Sequence, residues 1–248
     1  MKGKILLLYG NSEYEKLFSD FGKVGYGMPK SVVKDPKSIK LVVFTGGSDV
    51  HPVYYNGKDP HNFSQTSPLR DEKELLVFKF CLKHGIKMTG ICRGFQFLNV
   101  MCGGKMYQHI SGHGLWGLHG IHPVNGDQEV NVTSTHHQLV QLPSDALPIA
   151  YATPRRSTIY VGPLGVQTDP PSHEIESAVF PDFLTMGAQY HPEMMMDHES
   201  GRKYYKRMTS DFLKMDVMDF SRKYGRKLDG RPKNLERREV RRQNNHSA

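Results

Sequence analysis

The chain has 248 residues, 38% of them hydrophobic, and a mean hydropathy of -0.53, which is enough apolar material for a full core in a protein on the polar side. No apolar run approaches the roughly 20 residues of a membrane helix, Ile5–Tyr9 is too short for a signal-peptide core, and three cysteines (Cys81, Cys92, Cys102) without disulfide-like spacing suit a reducing compartment. A cytoplasmic protein without a membrane partner is therefore expected. The net charge of +8 is no nucleic-acid signature for the body, because residues 201–248 hold 15 Lys/Arg against 6 Asp/Glu and leave 18 against 19 elsewhere.

In chain order, Lys4–Tyr9 reads as a buried first strand closed by Gly10-Asn11-Ser12. A helix is expected over Glu13–Phe21, capped by Ser12, with Tyr14, Leu17, Phe18 and Phe21 at helical spacing. Gly22, Gly25 and Gly27 then loosen the chain, and a weak strand is expected at Ser31–Val33. Ile39–Phe44 is a second strand, nearly all apolar as in a parallel sheet covered on both faces, and it ends at Thr45-Gly46-Gly47-Ser48-Asp49. Paired glycines there let a backbone approach a ligand, although a simple tight turn would need them too. Ser67-Pro68 opens a helix to about Lys83, with Leu75, Leu76, Phe78, Phe80 and Leu82 expected on its buried side. Ile86–Thr89 is the next strand. Alternation of strand and helix argues for a doubly wound parallel sheet.

That strand runs into Gly90-Ile91-Cys92-Arg93-Gly94, followed at once by an apolar helical run ending at Gly103-Gly104. Gly-x-Cys-x-Gly is the thiol form of a nucleophile elbow, a turn sharp enough to need glycines on both sides. A helix N-terminus behind the sulfur favours the thiolate and frees backbone N–H groups to face an oxyanion. A buried structural cysteine with incidental glycines is the competing reading of this stretch alone. The histidines at His109, His113, His119 and His122, and then His136-His137, match no zinc spacing and have no cysteine pair or acidic partner nearby in sequence. They are expected to rim a pocket, and no metal or cofactor is expected.

Glu129–Val132, Ile149–Ala152, Ile159–Val161 and Ile175–Phe180 read as short strands of an antiparallel edge or insertion. Leu184–Tyr190 leads into His191-Pro192-Glu193. Residues two apart in extended chain share a side, so His191 and Glu193 can act together, and a thiol elsewhere would complete a nucleophile–base–orienter set. A last helix over His198–Phe220 turns Tyr204, Tyr205, Met208, Phe212 and Met215 inward. Residues 221–248 form a basic, flexible tail, with at most a helical turn near Leu235–Arg242.

Five of these stretches, in this order, resemble the class I glutamine amidotransferase superfamily, and within it the peptidase C26 branch of γ-glutamyl hydrolases. They are Gly46–Pro52, Arg70-Asp71 with Glu74, Gly90–Asn99 running on to Gly103-Gly104, Ser134–Gln138, and Gly187–Glu193. The resemblance implies a flavodoxin-like, doubly wound, mainly parallel sheet with a nucleophile elbow and a small antiparallel extension, in residues 1–220. It implies Cys92 as nucleophile, His191 as base, Glu193 as its orienter, and an oxyanion hole from the backbone of Gly47 and Arg93. Gly46, Gln96 and His136 would contact substrate, which would be glutamine or another small-molecule γ-glutamyl amide. A synthetase partner receiving ammonia, docked through the basic tail, is the alternative; a non-catalytic binding protein is a more distant one. Nucleic acid is not an expected partner. Tyr190 and Thr133 depart from the family's usual tryptophan and asparagine, and the segment before Gly46 is short for the hydrolase branch.

Overall fold

The computed structural model describes residues 3–27, 35–114 and 117–228. Strands β1 (Lys4–Leu8), β2 (Lys23–Tyr26), β3 (Ile39–Phe44) and β4 (Lys87–Ile91) come first, with helices α1 (Ser12–Phe18), α2 (Pro68–His84) and α3 (Arg93–Met101) between and after them. The short strands β5 (Lys105–Tyr107), β6 (His109–Ile110), β7 (Leu118–Pro123), β8 (Val130–Thr133), β9 (Leu139–Gln141), β10 (Leu147–Ala152) and β11 (Tyr160–Val161) follow. Strands β12 (Ile175–Phe180) and β13 (Thr185–Ala188) and helices α4 (Ser200–Lys214) and α5 (Val217–Tyr224) complete the order.

Nine strands make one sheet in the order β2-β1-β3-β4-β13-β12-β10-β7-β8. The first five pair in parallel and the rest pair antiparallel. The arrangement is a mainly parallel α/β sheet whose antiparallel extension comprises four strands. Alternation along the central strands divides them between two cores: Ile5, Leu7, Leu41 and Val43 face α1, α4 and α5, while Leu6, Leu8, Val42 and Phe44 face α2 and α3. Among the described residues no helix is long and apolar enough to cross a membrane.

Several sequence expectations shift. Asn11, not Ser12, caps α1, its carboxamide oxygen accepting from Glu13 N at 3.0 Å and Tyr14 N at 3.4 Å. The glycine-loosened stretch after α1 holds β2, whose place at the sheet edge tolerates Gly25 because one side has no strand to satisfy; the strand expected at Ser31–Val33 lies outside the described residues. Helix α2 buries Asp71, Glu74, Val77, Phe78 and Cys81, and leaves Leu76 exposed. Its inner face is partly polar because the carboxylates serve a buried arginine described below. Strand β11 pairs with β6 apart from the main sheet, whereas β10 and β12 lie within it. The single terminal helix is two, separated at Met215-Asp216, where Asp216 caps α5 by accepting from Met218 N at 2.8 Å. Helix α5 carries packing past residue 220, burying Phe220, Ser221 and Tyr224; the turn expected near Leu235–Arg242 lies outside the described residues.

Candidate active site

Strands β3, β4 and β13 are neighbours, and the three motif loops leave their C-terminal ends side by side. Ligands of open parallel sheets collect at such strand ends. Cys92 follows β4 directly with φ 51° and ψ −111°, a left-handed conformation that costs a non-glycine residue about 1–3 kcal/mol. Its N–H donates to Ala188 O of β13 at 2.8 Å, and its carbonyl accepts the Gln96 N–H at 3.0 Å. The thiol therefore sits at a strand-to-helix turn pinned on both sides. The turn needs Gly94, because a Cβ there would stand 1.9 Å from the Phe44 carbonyl oxygen.

His191 comes from the segment after β13 and is anchored through its backbone: its N–H donates to Thr133 Oγ1 at 2.8 Å. Its Nδ1 meets Glu193 Oε1 at 2.5 Å, with both side chains buried. Pro192–Met194 forms a single 3₁₀ turn, and Arg202 of α4 clamps it by donating from Nη1 to Pro192 O at 2.9 Å. Burial opposes a charged imidazole, but the hydrogen bond and charge of Cys92 together with those of Glu193 outweigh it and hold His191 well above its ordinary value. The imidazole thus lies between a thiol and a carboxylate. Such an arrangement can take the thiol proton and hold it as an imidazolium.

Gly46 passes close to this pair; a Cβ there would meet His191 Cε1 at 2.9 Å and the Tyr14 hydroxyl at 3.0 Å. The Gly46 N–H donates to that hydroxyl at 3.0 Å. Burial, then the Glu193 charge, push the Tyr14 phenol far up, so it stays a neutral hydroxyl against the carboxylate. Gly47 has φ 138°, open to glycine alone. Arg70 holds the carbonyls of this loop, donating from Nη1 to Gly46 O at 3.0 Å and from Nη2 to Thr45 O at 2.9 Å.

Arg93 opens α3, so its backbone N–H belongs to the first turn, which has no intrahelical acceptor. Its side chain is buried at 1% exposure, bonded to Asp71 and Glu74 of α2, and donates from Nε to Ser48 O at 3.0 Å. Burial, then the neighbouring Arg70 charge, lower the guanidinium to about 9 against the support of Asp71 and Asp49. One arginine thereby joins the elbow, the glycine loop and α2. Gln96 is buried and donates from Nε2 to Gln189 Oε1 at 3.4 Å.

His136 is buried with its Nδ1 at 2.9 Å from Gln138 O and its Nε2 turned toward Glu176 of β12 at 3.5 Å. His113 and His119 join it, so three of the histidines expected at a pocket rim are interior. Their acidic partners, Glu174 and Glu176, lie about forty to sixty residues downstream in the sequence, beyond any local spacing rule. Sequence reasoning also missed Tyr14, Thr133 and Arg202. The only local signal for the last was its place in the first turn of α4, the helix that follows the His-Pro-Glu segment.

A strained thiol on a strand-to-helix turn, in a sheet of this order, has the fold of the class I glutamine amidotransferases. A glutamine amidotransferase from Thermotoga maritima superposes with a TM-score of 0.51 at 16% identity, covering 90% of this chain and 92% of that one. The structure of PurLQS from Thermotoga maritima gives 0.56 at 13% identity, with 89% and 99% covered. Residues 28–120 match the Peptidase C26 family, a stretch that includes the glycine loop, α2 and the elbow. A Schizosaccharomyces pombe protein provisionally named a glutamine amidotransferase is 29% identical over 183 residues, 66% of each chain. A Mycobacterium tuberculosis protein with the same provisional name is 28% identical over 188 residues, 68% of this chain and 55% of that one. The chain thus spans roughly half to two thirds of these relatives' length. Over residues 28–120 the chain is similar to the Peptidase C26 family, and over a longer stretch to proteins named as glutamine amidotransferases.

Proposed function

We propose that this chain is a cysteine-dependent hydrolase of γ-glutamyl amide bonds. Cys92 attacks the γ-carbonyl as a thiolate, His191 having taken its proton. The same imidazolium then protonates the departing amine, and water, deprotonated by His191, clears the γ-glutamyl thioester. Glu193 keeps the imidazole in the useful tautomer throughout. The N–H groups of Gly47 and Arg93 donate hydrogen bonds to the oxyanion, a contribution whose loss typically costs on the order of a hundredfold or more in rate. Gly46 leaves room for the imidazole, and Gln96 and His136 contribute to the wall around the glutamyl group.

The observation that carries this reading is the positive-φ Cys92 facing the His191–Glu193 pair from the end of the neighbouring strand. Relatives named as glutamine amidotransferases support an amide as the substrate class. The test combines ammonia release from glutamine, amine release from a panel of γ-glutamyl-amines, and mass spectrometry of Cys92. Hydrolysis of a γ-glutamyl-amine, with a γ-glutamyl group in thioester linkage on Cys92, is the expected result. Ammonia release from glutamine only in the presence of a separate synthetase would favour the amidotransferase-subunit alternative. Neither activity and no adduct would sink both.

A further inference from the structure

Beside the thiol site the interior holds a second group of chemistry-bearing side chains. His113 follows β6, His119 lies on β7, His136 lies between β8 and β9, and Glu176 lies on β12. All four are buried. Glu176 Oε1 stands 3.1 Å from His119 Nε2, 3.4 Å from His113 Nδ1 and 3.5 Å from His136 Nε2. Donor atoms of His113, His119 and Glu176 all lie within 4.8 Å of one another. Around a tetrahedral ion with bonds of about 2.0–2.1 Å, neighbouring donors are about 3.3–3.4 Å apart.

The outer partners orient two of the imidazoles as a metal needs. Glu174 Oε2 accepts from His113 Nε2 at 3.1 Å, which turns Nδ1 inward. Glu174 is itself held by the N–H groups of Arg156 at 2.8 Å and Ser157 at 2.9 Å and by the Tyr160 hydroxyl at 2.6 Å. The Gln138 carbonyl accepts from His136 Nδ1 at 2.9 Å, which leaves Nε2 a bare lone pair aimed at Glu176. Histidine ligands bonded on the far nitrogen to a carboxylate or carbonyl are the usual outer arrangement of a metal site. Three buried polar atoms of this cluster have no hydrogen-bond partner among the described residues, His119 Nδ1, His136 Nε2 and Glu176 Oε2.

Charge points the same way. Two buried carboxylates share this space, and their ion-pair partners among the described residues are histidines alone. A carboxylate pair in the interior requires compensation by cations. We propose that His113, His119 and Glu176 bind a divalent transition-metal ion of the zinc class, with His136 as the fourth ligand and Glu174 orienting His113. Nitrogen-rich donor sets with one carboxylate select such ions over magnesium or calcium. The site joins β7, β12 and the β8–β9 connection. Glu176 O also accepts the Gln189 N–H at 2.7 Å, two residues before His191, so the ion would brace the ground under the base. The proposal shares His136 with the hydrolase reading but is tested apart from it, since metal content is measured without substrate.

The experiment uses tag-free full-length protein loaded with Zn²⁺, dialysed and assayed by elemental mass spectrometry, and chelator-stripped protein titrated with Co²⁺ and followed by visible absorption. About one equivalent of tightly held metal per chain is expected, with the d–d spectrum of a four-coordinate Co²⁺ ion. The variants His119→Ala and Glu176→Gln should lose at least tenfold in affinity, while the exposed-site control His84→Ala should keep the native stoichiometry. Native protein that takes up neither ion would overturn the proposal and leave the cluster held by its hydrogen bonds alone. Unchanged binding in both ligand variants would overturn it too. Should those variants fail to fold, the Co²⁺ spectrum of the native chain decides alone.

Discussion

Replacing Glu193 by glutamine tests the thiol site without needing its substrate. The change keeps a polar group at His191 Nδ1 and removes a charge whose oxygen lies 2.5 Å from that nitrogen. With charge centres roughly 4 Å apart and an effective dielectric near 20, the lost interaction is about 4 kcal/mol. The imidazolium loses that support, and a Cys92 thiolate paired with it loses the same. The assay is the rate of iodoacetamide alkylation against pH, with the modified cysteine located by mass spectrometry. Cys81 and Cys102 will not interfere: both are buried, and burial pushes their thiols up, that of Cys81 to about 12. Native Cys92 should alkylate readily at pH 6, and the E193Q variant at least tenfold more slowly there, the two curves converging above pH 9. Superimposable profiles would refute the argument that Glu193 sustains the ion pair.

The same pair sets a pH dependence of stability. Because folded His191 titrates above its ordinary value, its imidazolium contributes fully below about pH 6.5 and loses that contribution as pH rises through the raised value. The stability gap between native protein and E193Q, measured by urea unfolding, should therefore narrow from neutral to alkaline pH. Gly94→Ala should destabilise by about 3 kcal/mol or prevent folding, since the new methyl meets the Phe44 backbone rather than a mobile side chain; a midpoint within experimental error of native would contradict the close approach. Arg93→Met should cost about 3–5 kcal/mol by leaving Asp71 buried without its cation and Glu74 with Arg70 alone, and adding D71N and E74Q should recover part of it. No recovery in the triple variant would mean that the arginine matters for packing alone. Thr133→Val should cost about 1–3 kcal/mol by stranding the His191 N–H, and should slow alkylation of Cys92 at pH 6.

The parts of the site that were legible in the sequence are those whose geometry is local. Gly90-x-Cys92-x-Gly94 and His191-Pro192-Glu193 each fit within five residues, so closeness in sequence brings each set together, although a 3₁₀ turn and not extended chain joins His191 to Glu193. The central strands were legible because burial on both faces leaves continuous apolar runs. Helix α2 was misread for the opposite reason. Its apolar residues ring the helix, and the buried face is decided by where Arg93 needs carboxylates, a demand that arises about twenty residues away. Tyr14 looked like ordinary core and does pack there, but its hydroxyl reaches Gly46 N thirty-two residues on. The histidines were hardest to read, because a ligand set assembled from β7, β12 and two loops leaves no spacing rule behind.

The attachment of the thiol and the imidazole to adjacent strands has a further consequence. Gly187 pairs with Gly90 and Ala188 with Ile91, and the two side chains follow within a few residues of that ladder. Their separation is thus a property of strand register, fixed by apolar alternation on both sides of the sheet. A surface loop can be lengthened, recharged or replaced without touching that distance. Divergence in this scaffold is therefore free to act on the loops around the thiol, while the thiol–imidazole pair is inherited with the sheet itself.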